Sequence, residues 1–243
     1  MNRLRDLREQ LLDFFFPPRC VFCGAVMPRT GEGICGNCAK ILPFVENRKI
    51  LRKIGKYTCA VTFYYEGVVK RAILALKFQG CFHRADRLAA YLARTIAHHL
   101  EGEFDTVTYV PIHPLRRLRR GYDQSRLLAE AVGRLLGIKA VKTIGKIRNN
   151  PPQSLVKGPG ARARNVQGAY RVVRPMSVVG RRILLIDDVV TSGATLTACA
   201  DELLAAGAAS VVCAALTGGH QSDPLPSLDD FRALLAAREK KLP

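Results

Sequence analysis

The stretch Ile183-Leu-Leu-Ile-Asp187-Asp188-Val-Val-Thr191-Ser192-Gly193-Ala194-Thr195-Leu196 gathers the residue types best suited to chemistry. Its four leading apolar residues predict a strand buried on both faces. Two adjacent carboxylates stand at the carboxyl end of that strand. A loop of small and hydroxyl-bearing residues follows and opens directly into a helical pattern. In an open α/β sheet, ligands gather at the carboxyl ends of strands. The free N–H groups of a helix N-terminus suit a phosphate monoester. Thr191, Ser192 and Thr195 add hydroxyl donors, and Gly193 lets the backbone come close. Asp187 and Asp188 can accept hydrogen bonds from a vicinal diol. One loop can therefore hold a sugar's hydroxyls and its phosphate together. The chain has neither GxxxxGK[ST] nor GxGxxG, which argues against a Walker A loop and a dinucleotide fingerprint.

A second constellation is Cys20-Val-Phe-Cys23 followed, after eleven residues, by Cys35-Gly-Asn-Cys38. Each CxxC turn aims two thiolates at one point. Two such turns supply the tetrahedral sulfur shell that Zn²⁺ prefers, closed to substrate and hence structural. Gly24 and Gly36 are expected to give the backbone freedom beside the cysteines. Cys59, Cys81, Cys199 and Cys213 have no ligand spacing and read as small core residues. His113 is the histidine placed beside chemistry. It reads either as a general base or as a loop histidine with a structural hydrogen bond.

These groups need a scaffold. Residues 3–16 predict an amphipathic helix ended by Pro17 and Pro18, and residues 44–56 a basic linker. Strands are expected at 58–65, 107–112, 140–147, 169–174, 182–186 and 210–217. Helices are expected at 68–78, 85–100, 124–136 and 195–206. The alternation implies an α/β fold with a doubly wound, mostly parallel sheet behind a small N-terminal zinc ribbon. The expected division is helix and ribbon over 1–55, the α/β body over 56–220, and a tail over 221–243. Ser227 and Asp230 form a capping box for a helix in that tail.

The chain has 243 residues, with 38 Lys and Arg against 20 Asp and Glu, a formal charge of +18. Residues 131–186 carry twelve basic residues and no acidic one. Such a field favours polyanions, either nucleic acid or a small polyphosphate. No apolar run approaches the roughly 18 residues of a membrane span. Charges at positions 3, 5, 6, 8, 9 and 13 interrupt any signal-peptide core. A cytoplasmic location is expected, where clustered cysteines point to metal more than to disulfides.

The segment Ile186-Asp-Asp-Val-Val-Thr-Ser-Gly-Ala-Thr-Leu196 resembles the phosphoribosyl pyrophosphate (PRPP) motif of type I phosphoribosyltransferases. The resemblance widens through Ala72-Ile-Leu-Ala-Leu-Lys77-Phe, Val110-Pro-Ile-His113-Pro, Arg120-Gly-Tyr-Asp123-Gln, Pro152-Gln-Ser and Arg164-Asn-Val. With the cysteine ribbon, these look like the ComF family, whose namesakes act in bacterial DNA uptake. The resemblance covers about residues 1–218. It implies a type I phosphoribosyltransferase fold, PRPP and Mg²⁺ as ligands, and phosphoribosyl transfer to an acceptor with release of pyrophosphate. It places Asp187 and Asp188 on the ribose hydroxyls and Thr191, Ser192, Gly193, Ala194 and Thr195 around the 5′-phosphate. Ile112 and His113 fall in the pyrophosphate loop, with Arg116, Arg117, Arg119 and Arg120 behind them. Residues 149–166 resemble a mobile hood. The chain departs from the family pattern at Asp123, where an Asn is common, and at Gly158-Pro-Gly, where a Glu-Arg-Arg-like run is common. A second reading is a non-catalytic protein that binds single-stranded DNA or competence-machinery partners and keeps the pocket as a sensor or relic.

Overall fold

The nine residues Arg182–Val190 form an interior strand of the main sheet, buried at all but Arg182 and Val189. A run of Ile, Leu and Val without alternation is what a strand covered on both faces requires. The computed structural model describes residues 17–28, 33–151, 156 and 158–220. The helix expected over 3–16 and the tail helix expected from Ser227 lie outside the described residues.

In chain order the elements begin with α1 (Gly36–Lys40), β1 (Leu51–Ile54), β2 (Tyr57–Tyr64), α2 (Gly67–Phe78) and α3 (Ala85–His99). They continue with β3 (Thr106–Tyr109), α4 (Pro114–Arg120), α5 (Gln124–Leu136), β4 (Ile144–Lys146) and α6 (Pro159–Val166). The last are β5 (Tyr170–Val172), β6 (Arg182–Val190), α7 (Ala194–Ala205) and β7 (Ser210–Gly218).

The main sheet has the order β1-β2-β7-β6-β3, and β4 pairs with β5 in a separate two-stranded sheet. Strands β2, β7, β6 and β3 are parallel, and β1 is an antiparallel edge. Helices α3 and α5 pack side by side, α3 on β2 and β7, α5 on β6 and β3. Leu88, Leu92 and Ile96 line the inner stripe of α3 at intervals of four and are fully buried. From β3 the chain crosses by α5 to a parallel bridge at Ala140, beyond Val107 on the outer edge. It then returns inward to β6 and β7. The direction of winding reverses between β3 and β6, and right-handed crossovers put α7 on the face opposite α5. The crevice above the carboxyl ends of β3 and β6 is therefore the place where a doubly wound sheet binds its ligand.

The structure corrects four expectations. The basic segment 44–56 is not a linker: Leu51–Ile54 is a strand of the main sheet, paired to β2 from Leu51↔Ala60 to Ile54↔Tyr57. Its charges hide this, because Arg52 is itself buried and donates from Nη1 to the Gly219 carbonyl at 2.5 Å. The strand expected over 107–112 ends at Tyr109. Pro111, which lacks an N–H, cannot extend a ladder. The strand expected over 140–147 is confined to Ile144–Lys146. Cys59, Cys199 and Cys213 are buried as expected, but Cys81 is only half-buried.

Candidate functional site

The two acids sit at the carboxyl end of β6 and are almost completely buried, Asp187 8% and Asp188 4% exposed. Asp187 Oδ1 accepts the Ser125 hydroxyl at 2.8 Å and the Asp188 N–H at 2.9 Å. The Lys77 ammonium, from the last turn of α2, lies 2.7 Å from Asp188 Oδ2. Burial and the neighbouring Asp188 charge push the Asp187 carboxyl up to about 8, although Lys77 and the hydrogen bonds work the other way. Burial also works against the Lys77 ammonium, but Asp188 and Asp187 outweigh it and hold its pKa above the ordinary value.

The loop after β6 carries Thr191 and Ser192 exposed, Gly193 buried, and Ala194 and Thr195 half-buried. Gly193 caps α7 with φ +76°. A Cβ there would lie 2.7 Å from the Ile54 Cβ of β1. Two constraints, a left-handed backbone and a close neighbour, thus demand glycine. Thr197 in the first turn of α7 donates to the Ile54 carbonyl at 3.4 Å, so β1 braces the loop from below. Asp187 and residues 189–196 enclose a pocket of about 40 Å³.

The turn after β3 stands beside this loop, because β3 and β6 are neighbours up to Tyr109↔Ile186. Ile112 donates its N–H to Asp123 Oδ2 at 3.0 Å, while Asp123 Oδ1 accepts the Arg126 N–H at 3.2 Å and caps α5. The departure at 123 thus has a structural use: a carboxylate offers acceptors on both oxygens, where an Asn would offer one. His113 caps α4, and its Nδ1 accepts the Leu115 N–H at 3.3 Å. That is the structural hydrogen bond, and it leaves Nδ1 engaged.

Behind the turn, Lys77, Phe78, Gly80, Arg116, Arg119, Arg120 and Tyr122 line a cavity of about 290 Å³. Arg120 donates to Gln124 Oε1 at 2.6 Å and lies 5.0 Å over the Phe78 ring. Arg116 reaches across to the Asn150 carbonyl, at the base of the segment expected to form the hood. Arg117 is exposed and is not among the lining residues. Within the expected hood, residues 152–155 and 157 lie outside the described residues.

At the other end of the chain, the sulfurs of Cys20, Cys23, Cys35 and Cys38 all lie within 4.8 Å of one another. Cys23 Sγ and Cys35 Sγ are 3.7 Å apart. A tetrahedron with Zn–S bonds of about 2.3 Å has S···S edges of about 3.8 Å, so the four thiols fit the metal. Gly24 takes the left-handed conformation beside its cysteine, whereas Gly36 does not and simply starts α1. Burial pushes the Cys20 thiol up, but backbone N–H groups of Cys23, Cys35 and Phe22 more than offset it and bring the pKa down to about 6. The ribbon is fastened to the sheet by Phe22, whose ring meets Phe63 at 5.9 Å and Tyr91 at 5.8 Å.

Comparison with known proteins bears on both ends. The double zinc ribbon domain matches residues 11–61 and the phosphoribosyl transferase domain residues 123–235. The DNA utilization protein YhgH of Escherichia coli O157:H7 is 30% identical over 202 residues, 79% of this chain and 86% of that one. Competence protein F of Haemophilus influenzae is 29% identical, covering 74% of this chain and 75% of that one. Competence protein ComFC of Bacillus subtilis is 25% identical over 79% of this chain and 74% of its own length. The chain belongs to the ComF family. It joins a four-cysteine zinc ribbon to a type I phosphoribosyltransferase-like sheet. Among the described residues no helix is long and apolar enough to cross a membrane.

Three residues at this ComF-family site escape a reading by motif. Ser125 follows the Arg-Gly-Tyr-Asp-Gln run and looks like an ordinary first-turn residue, yet it bonds Asp187. Asp123 reads as a departure and turns out to hold the Ile112 N–H. Lys77 belongs to a quoted motif without a role. A cation directly after the apolar run Ala72–Leu76 is the signal that could have flagged it, because a buried ammonium needs an anion.

Proposed function

We propose that this ComF-family chain binds PRPP together with Mg²⁺ and transfers the phosphoribosyl group to a nucleophilic acceptor. The acceptor forms a bond to the ribose C1 as the C1–pyrophosphate bond breaks, and pyrophosphate leaves with the bonding pair. The observation that carries this is the buried acid pair of Asp187 and Asp188, running into the glycine-braced hydroxyl loop at the head of α7. In this reading the acids take the ribose diol, residues 191–195 take the 5′-phosphate, and the Ile112–His113 turn takes the pyrophosphate. Arg116, Arg119 and Arg120 supply the positive charge that the leaving group needs. Among the described residues the cysteines are the sole cluster of three or more metal-ligating side chains. Mg²⁺ is accordingly read as arriving on the ligand's own oxygens, with water completing its shell. The working boundary between ribbon and transferase-like body falls ahead of Leu51, because Leu51–Ile54 belongs to the body's sheet.

Calorimetry with PRPP and Mg²⁺ tests the reading. Wild-type protein should bind. Asp188→Asn should bind about tenfold to a hundredfold more weakly, the worth of a charge-assisted hydrogen bond. Thr195→Ala should lose less, since it removes one hydroxyl among several donors. Pyrophosphate release on adding an acceptor would establish turnover; binding without release under a wide acceptor screen would leave a sensor.

A second reading, DNA binding outside the pocket, is favoured by the acid-free basic stretch 131–186 and by relatives named for DNA utilization and competence. Aromatic residues make up only 7% and Trp is absent, so stacking is scarce and the contact would be electrostatic. On single-stranded oligonucleotides log affinity should fall with log salt by about 0.7 per phosphate contacted. A flat response, or strong preference for one sequence, counts against it.

A further inference from the structure

Lys77 stands where two parts of the site meet. On one side its ammonium is 2.7 Å from Asp188 Oδ2. On the other it lines the cavity that holds Arg116, Arg119 and Arg120, with no acid among the lining residues. No other cation among the described residues forms an ion pair with Asp188. A buried ion pair is about neutral for stability when compared with well-packed apolar residues, so packing alone gives little reason to keep one here. A lysine stem is flexible and carries three donors that re-aim by rotation.

We propose that Lys77 is a positioning residue with two anionic clients: it holds the Asp188 carboxylate in place in the empty site, then turns into the cationic cavity when a ligand brings a diol to Asp188 and an anion to the arginines. The proposal deepens the PRPP reading and rests on it. The exchange explains how the Asp188 carboxylate is kept paired while it stays buried. It also explains why the cavity and the acid pair adjoin. Asp188 is freed only by a ligand carrying both a diol and an anionic group that reaches the arginines, so neither ribose 5-phosphate, whose phosphate goes to residues 191–195, nor pyrophosphate alone completes the swap. The groups facing the acid pair besides Lys77 are Asp123 at the head of α5, Lys146 and Tyr170 of the small sheet, and Cys59, Cys199 and Cys213 in the core. Lys146 is the second cation in that set, and it lies over the Tyr170 ring at 5.0 Å.

The test is PRPP affinity measured by calorimetry between pH 5.5 and 8.5 on wild type, Lys77→Met, Lys77→Arg, Asp188→Asn and the double variant Lys77→Met/Asp188→Asn. Lys77→Met should bind about tenfold more weakly at pH 7, with half-maximal affinity reached about one pH unit higher, because the acid pair loses its counter-cation. Lys77→Arg should stay within about threefold of wild type and keep its pH profile. On the Asp188→Asn background, Lys77→Met should cost clearly less than it does in otherwise wild-type protein, since one of its two clients is gone. The double variant removes both charges at once, so it keeps the comparison with Asp188→Asn usable if Lys77→Met alone does not fold. Wild-type affinity and profile in Lys77→Met, or an undiminished loss on the Asp188→Asn background, overturns the role of Lys77. Wild-type protein that takes up no PRPP overturns the reading beneath it.

Discussion

Asp187→Asn protein should unfold at a higher temperature than wild type at pH 7.5 and at the same time lose its hold on PRPP. Asp187 is buried beside a second acid, and its carboxyl is pushed up to about 8 from an ordinary value of 3.8. A carboxyl raised in the folded state contributes stability that is fully present below its unfolded pKa and drains away as pH climbs toward the folded one. The window is therefore about pH 4 to pH 8. An asparagine does not titrate, and its carbonyl can still accept the Ser125 hydroxyl and the Asp188 N–H. The advantage of the variant should be small at pH 4 and grow to about 1–2 kcal/mol near pH 8, several degrees in melting temperature. Asp188→Asn should move the other way. It strands the Lys77 ammonium, whose side chain is 20% exposed, without its carboxylate. Breaking one side of a buried pair costs about 3–5 kcal/mol. Thermal melts of the two variants across pH decide the matter; shifts of the same sign would refute this account of the pair.

Protein purified without chelator should carry about one zinc per chain, and Cys35→Ser protein should carry substantially less. Cys35 does three things at once. Its sulfur lies in the four-thiol cluster, it caps α1 by accepting the Cys38 N–H at 3.4 Å, and its own N–H points at Cys20 Sγ at 3.4 Å. Metal binding in a ribbon of this kind supplies about 10–16 kcal/mol of folding free energy, so its loss should unfold the ribbon outright. The sheet should survive, because α3, α5 and the strands supply most of the buried core, to which the ribbon adds Cys20, Val21, Phe22 and Cys38. Circular dichroism should then show most of the helix retained, with Phe22 no longer covering Phe63 and Tyr91. A variant that keeps its zinc, or one that loses the whole fold in a single step with it, would disprove the separation.

The parts of the molecule legible beforehand share one property: local pattern and tertiary role coincide. The helix 124–136 and the paired CxxC turns each say in a few residues what they will do, and the strand expected over 182–186 starts where expected but runs on to Val190, so that both acids lie within it. Helix α5 runs over exactly the expected span because Asp123 caps its start and Gly137, in the left-handed conformation, stops it. Where the two diverge, the reading fails. Arg52 sits in a sequence thick with charge, and its burial depends on a carbonyl 167 residues away. Lys77 and Ser125 acquire their partners from β6, far along the chain, so no spacing rule relates them to Asp188 and Asp187. Sequence periodicity reports which face is apolar. It does not report which buried polar atoms will meet.

The contact between Gly193 and Ile54 ties two distant positions into one unit of inheritance. A side chain at 193 would need a smaller one at 54, and it would still leave a left-handed backbone to be borne. Neither change is of use without the other, and both together remain strained. Lineages descending from this chain are therefore free to vary the surface of the hydroxyl loop at Thr191 and Ser192, while the floor beneath it stays fixed. New specificities should arise at the rim of the pocket and not at its base.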